Sequence, residues 1–239
     1  MQDEVAKHTK KIYQAMKSPQ HSFWEKVKEV AIEIFIIVFA VTLSIWLHSW
    51  SDHRHEQKEA EEFLKGLKDD LAKDIRLLEA NRHTFIQLDS NFNLIAALDD
   101  SKAIDTTSGR TLSYLFDFEE RITHPNVGRY EGFKSSGKIG TIENDSLKQL
   151  ILVYYQQTMT GLQDDESVVN AFQTKMLDLM VDRDYNSTLR DLAKSFKMRA
   201  SLEIINDNLK GAINEYNIAI QQAKGIVAMI DRTPGISRL

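Results

Sequence analysis

The chain has 239 residues, no cysteine, and an ordinary globular balance of 42% hydrophobic and 27% charged residues. A net charge of -5 offers no basic footprint for nucleic acid, and the lack of cysteine excludes thiol catalysis, disulfides and thiolate metal sites. Ten glycines and three prolines are too few for a many-stranded β architecture and favour long helices.

Residues 1–29 read as a charged leader that is helical near a membrane. Residues 30–50 read as a transmembrane helix. Val30 to Leu47 contains a single charge, Glu33, and about 18 apolar residues suffice to span a hydrocarbon core. Trp24 stands before the run, and Trp46 and Trp50 stand at its end. Trp24 and Trp46 are ~33 Å apart along a helix, so they can anchor the two interfaces. The bulky Leu47-His48-Ser49-Trp50 offers no cleavage site, so the segment reads as an uncleaved signal anchor. Residues 10–29 hold five Lys, whereas residues 51–70 hold three Lys and one Arg. That bias and the large C-terminal domain give an orientation with the N-terminus in the cytoplasm and the C-terminal domain in the periplasm.

Glu33, Ile37, Ala40 and Ser44 follow steps of four, three and four residues, so they share one stripe, which His48 extends. The opposite faces carry Ile34, Phe35, Val38, Val41 and Ile45. A small and polar stripe flanked by lipid-facing bulk suits a helix–helix contact. Two other roles for Glu33 stand beside it: snorkelling to cytoplasmic head groups, and titration on an ion or proton path.

Residues 51–239 read as a helical domain outside the membrane. Leu64, Leu67, Leu71, Ile75, Leu78, Phe85, Leu88, Phe92 and Ile95 recur at helical spacing, which gives one long amphipathic helix over 52–98, or two with a break. It can continue straight from the membrane helix. A loop over 99–110, a helix over about 111–122, and helices over 165–182 and 185–198 follow. Between them, Glu143-Asn144-Asp145 caps a helix carrying Leu147, Leu150, Ile151, Tyr154 and Tyr155. The last segment repeats Ile205, Leu209, Ala212, Tyr216, Ile220, Ala223, Val227 and Ile230, close to a coiled-coil seam. The expected fold is all-α: one transmembrane helix followed by a helical bundle whose first and last long helices pair antiparallel.

Gly132 to Lys138 matches GxxxxGK, the start of a phosphate-binding loop. Ile139 stands where the magnesium-binding Ser or Thr belongs, and no strand precedes. Gly132, Ser135, Ser136 and Gly137 therefore read as a structural turn, with Gly137 supplying a positive φ. His53 and His55, with Asp52 and His48, suggest a metal, but the two histidines point to different faces of a helix and cannot chelate together without a second chain, so the group reads as interfacial polar residues. No metal and no cofactor are expected, and no His/Asp/Ser triad assembles around His83 or His124. Asp69-Asp70, Asp99-Asp100 and Asp164-Asp165-Glu166 read as solvated faces or helix starts.

The stretch YEGFKSSGKIGTIENDSLKQLILVYYQQ resembles the signature of an uncharacterised family of bacterial single-pass membrane proteins. Its members carry a Leu-Lys-Ser-Ser-Gly-like turn, an Ile-x-Asn step and a helix ending in Tyr-Tyr. The matching elements are Phe133 to Gly137, Ile142 to Asn144, and Tyr154-Tyr155. Glu33, Trp50 and Asp52 fit the family's anchor. Phe133 replaces the usual Leu, and His53-Arg54-His55 makes a basic exit. The resemblance implies a bacterial inner-membrane location and a domain of unknown function, with no activity attached. The reading that follows is a non-enzymatic, single-pass membrane-anchored helical protein, acting as a self-associating scaffold or partner-docking module. Its partners would be membrane lipid and either a second copy or another membrane protein. The alternative is an accessory subunit of a membrane transport or energy-transducing complex, with Glu33 as the titrating group.

Overall fold

The computed structural model describes residues 10, 13, 23–98 and 115–233. Among these residues the fold is all-α. Helix α1 runs unbroken over Phe23–Ala96, so the membrane-type segment and the long amphipathic helix are continuous. The chain divides inside α1 into two compact units, residues 1–59 and 60–239.

In the second unit α1 is followed by α2 (Gly128–Ser135), a 3₁₀ turn (Lys138–Thr141), α3 (Asp145–Val153), a π-helical turn (Tyr154–Thr158), α4 (Met159–Val181), α5 (Leu189–Lys194) and α6 (Phe196–Asp231). The expected cap of α3 forms. The Asn144 side chain accepts from the Leu147 amide at 3.0 Å and opens α3. Thr188 and Asp191 make a reciprocal capping box on α5. Ser195 breaks the helix expected over 185–198. Its backbone is extended (φ -60, ψ 147), and its side chain accepts from the Met198 amide to start α6.

The two long helices of this unit run antiparallel. Lys68 pairs with Asp231, Glu79 with Lys224, Arg82 with Asn217, Asn93 with Asn206, and the Leu98 carbonyl with Arg199. Residue numbers rise on α1 as they fall on α6. The Phe85 ring meets Tyr216 edge-on at 5.2 Å in the same register. Leu64, Leu67, Leu71, Leu78, Phe85, Leu88, Phe92 and Ile95 are all buried on α1, facing a core that includes Leu202, Ile205, Leu209, Ala212, Tyr216 and Ile226 of α6. Each fully buried Leu or Phe contributes about 1.5–3 kcal/mol, so this apolar seam outweighs the partly exposed ion pairs that share its register.

Of the helix expected over about 111–122, Leu115 is helical, and 116–122 is not. Residues 116–127 form an irregular strap without helical hydrogen bonding; 111–114, like the loop over 99–110, lie outside the described residues. The strap's backbone groups find partners on α4 instead, as described below.

Candidate functional site

The first unit consists of the apolar helix and its exit. Its most apolar 18-residue window has a mean hydropathy of 2.6, and none of that window is buried. This separates it from the core helix of a soluble bundle, which would be covered. Within it, Glu33 and Ile37 are half-buried, whereas Ala40, Ser44, Trp24, Trp46 and Trp50 are exposed. The stripe expected from the sequence lies on one helical face because the helix is regular throughout. The Thr42 hydroxyl returns to the Phe39 carbonyl at 3.2 Å, which satisfies its polarity within the helix. At the exit the Arg54 guanidinium lies over the Trp50 ring, 4.6 Å from its centroid, a cation–π contact that suits a wet interface.

The GxxxxGK stretch is a helix ending. Gly132 and Ser135 belong to α2, and Gly137 adopts φ 76 just past it. The Ser136 and Gly137 amides close back on the Gly132 and Lys134 carbonyls. The left-handed residue lets the chain reverse into the 3₁₀ turn. A helix precedes this glycine, where a phosphate loop needs a buried strand.

The strap is bound by one polar face of α4. Gln163, Glu166, Asn170 and Gln173 step by three, four and three residues, so their side chains share a stripe. Gln163 donates to the Thr123 carbonyl at 2.7 Å. Asn170 donates to the Arg121 carbonyl at 3.0 Å and accepts from the Arg121 amide at 3.2 Å. Gln173 donates to the Asp117 carbonyl. The helix thereby supplies the backbone partners that the strap does not find in itself.

Glu166 was expected on a solvated face and is instead fully buried. Its carboxylate accepts from the Thr123 amide at 2.7 Å and from the Thr123 and Tyr216 hydroxyls. Asn81 completes the node by donating to the Thr123 hydroxyl at 2.9 Å. Burial pushes the Tyr216 phenol well above its usual range, and the bond to Glu166 adds to the rise. The node ties α1, the strap, α4 and α6 together through neutral donors.

A second buried carboxylate, Asp74, receives the amide and side-chain nitrogen of Asn126 at the strap's end. Burial raises its carboxyl above the ordinary Asp value despite those bonds. Near it lie Tyr154 and Tyr155, the aromatic pair of the helix expected after Asn144. Both are buried. Tyr155 stacks on Tyr130 at 4.3 Å, and Tyr154 meets Tyr155 edge-on at 4.9 Å. Burial pushes both phenols far up, with the Asp74 charge adding to it, so neither side chain serves as a base near neutral pH. The π-turn that carries them sets both rings toward the interior.

Beside the strap, Phe118, Glu120, Ser167 and Thr174 line an open cleft with Asn170 and Gln173. Glu120 is the one ionisable side chain in that lining. The polar node, Asp74 and the α4 stripe escaped sequence reasoning. The signal for the stripe was present in the 3, 4 and 3 spacing of four amide or carboxyl side chains, but α4 carries other polar residues, such as Asp164, Asp165 and Lys175, that mask it. No protein-family model, curated protein or solved structure matches the chain.

Proposed function

We propose that the chain is a non-enzymatic, single-pass membrane protein whose apolar helix self-associates or docks a membrane partner through Glu33, Ile37, Ala40 and Ser44. One observation carries this reading: no residue of the apolar window is buried, while the second unit buries a continuous apolar core of its own. Removing such a segment from water requires lipid or another helix. Within lipid, the small residues at 40 and 44 let a second backbone approach closely, and a protonated Glu33 can donate a hydrogen bond across the pair. The location that goes with this reading is a bacterial inner membrane, with the N-terminus cytoplasmic and the C-terminal domain periplasmic.

The native chain lacks cysteine, so disulfide scanning has no background. Single cysteines at positions 34–47, oxidised in native membranes, are expected to crosslink with a helical period peaking at 37, 40 and 44. Uniformly low crosslinking, together with unchanged membrane partners in Glu33→Leu, would overturn the reading.

A further inference from the structure

The stripe does not stop at Ser44. His48, Asp52, His55 and Glu59 follow it at steps of four, four, three and four residues. At about 100° per residue these four fall within a sector of about 60°, in line with Ile37 and Ser44. The His-x-x-x-carboxylate pair at 48 and 52 recurs seven residues later at 55 and 59.

The side chains within each pair are already close. His48 Nε2 lies 3.4 Å from Asp52 Oδ2, and His55 Nε2 lies 3.6 Å from Glu59 Oε1. These separations are long for hydrogen bonds, which cluster near ~2.9–3.0 Å for N–H···O. The first matches the spacing of two donor atoms on one tetrahedral ion, and the second exceeds that spacing by about 0.2 Å. Bonds of about 2.0–2.1 Å from zinc to imidazole and carboxylate set such donors roughly 3.3–3.4 Å apart. The neighbouring cation Arg54 is engaged over Trp50 on another face.

One chain supplies only two donors at each level, and among the described residues no group of three or more possible metal ligands gathers. A second copy packed through the same stripe supplies the other two. A two-fold pair brings the same residues of both copies together, so each level becomes two imidazole nitrogens and two carboxylate oxygens. The two carboxylates neutralise a divalent charge. The levels are seven residues apart, about 10.5 Å along the helix. Imidazole donors favour zinc over calcium or magnesium, and a tetrahedral set suits zinc over copper, which prefers tetragonal sites.

We propose that two copies of this chain bind divalent zinc between them at these two levels, with His48 and Asp52 as ligands at the first and His55 and Glu59 at the second. The proposal rests on the self-association reading. The ion binds the paired form and not the separate one, so it tightens the pair by mass action.

The test uses the full chain, solubilised in detergent and stripped of metal, titrated with Zn²⁺ against a chromophoric chelator. A parallel sample carrying Ala40→Cys reports pairing by disulfide formation without zinc. The expected stoichiometry is about one zinc per chain, falling to roughly half in His48→Ala and to none in His48→Ala/His55→Ala. Asp52→Asn, which keeps the side-chain shape, is expected to weaken the first level alone, and circular dichroism checks that each variant stays helical. Pairing at position 40 without zinc binding overturns the metal site and leaves self-association standing. Zinc binding indifferent to the His variants also overturns the site. Zinc lost in the His variants but held without pairing overturns the two-copy geometry. Neither pairing nor zinc overturns both readings.

Discussion

Glu166→Leu is expected to destabilise the second unit by about 3–5 kcal/mol, whereas Glu166→Gln costs only about 1 kcal/mol. The difference comes from what each variant does to three donors. In the native fold the Thr123 amide and the Thr123 and Tyr216 hydroxyls all end on this carboxylate. Leucine removes every acceptor. The two hydroxyls stand 3.1 Å apart and can turn toward each other, which restores part of the loss. The amide cannot turn, and stranding it costs ~1–3 kcal/mol, with each further lost hydrogen bond adding ~0.5–1.5 kcal/mol. Glutamine keeps one oxygen for the amide and donates its NH₂ to the hydroxyl oxygens. Urea unfolding of the detergent-solubilised chain, followed by far-UV circular dichroism, reads the effect. With a slope of about 2 kcal/mol per molar urea, the leucine variant's midpoint falls by roughly 1.5–2.5 M. Equal midpoints for the leucine and glutamine variants would refute the reasoning, because the node would then not depend on an acceptor at that position.

Asp74 gives a pH signature. Its folded pKa lies above the ordinary value, so the folded form binds more protons and its contribution to stability is lost as pH rises from about 4 through the folded pKa. Asp191, Asp145 and Glu79 are shifted the other way by Thr188, Lys148 and Lys224 and lose their contributions as pH falls. The difference between wild type and Asp74→Asn across pH 4–8 isolates the first effect, and parallel stability curves would sink it. Gly66 lies under Arg129: a Cβ there would collide with the guanidinium carbon, and Arg129 reaches Asp70 at 2.9 Å. Gly66→Ala is therefore expected to stabilise by about 1 kcal/mol in an Arg129→Ala background and by clearly less in the wild type. Equal gains in both backgrounds, measured by urea midpoint, would show that the guanidinium does not occupy that position. Gly137→Ala, at φ 76, is expected to cost about 1–2 kcal/mol, while Lys138→Ala is near neutral. The reverse order of melting temperatures would contradict a purely structural turn.

The sequence exposed the long helices because burial there follows a local period. Leu67, Leu71, Leu78 and Phe85 are each spaced to one face, and each is buried. Asn144 was legible as a cap because its partner is three residues away. The strap's first part, 116–122, reads as helix because Leu115, Phe116, Phe118 and Ile122 mimic helical spacing. What decides its conformation lies some forty to fifty residues further on, in Gln163, Glu166 and Asn170. Glu166 was misplaced for the same reason. Beside Asp164 and Asp165 it looks like a solvated cluster, and only Tyr216 and Thr123, from elsewhere in the chain, account for its burial. The Glu33 stripe and the His-x-x-x-carboxylate repeat are both legible as patterns on one helix, and only the 3.4 and 3.6 Å separations within the pairs needed coordinates.

The antiparallel register has a consequence for how the protein is made. Lys68 and Asp231 are 163 residues apart, so α1 leaves the ribosome well before the helix that covers it. At roughly 5–20 residues per second this interval is about 8–33 s. The Leu64 end of the apolar face waits longest; at the Ile95 end the gap from Leu98 to Arg199 is 101 residues, or about 5–20 s, while the preceding segment is already able to enter lipid. Premature termination anywhere in α6 prolongs that exposure indefinitely. The last helix is therefore the element whose loss during synthesis exposes the product most to aggregation or proteolysis.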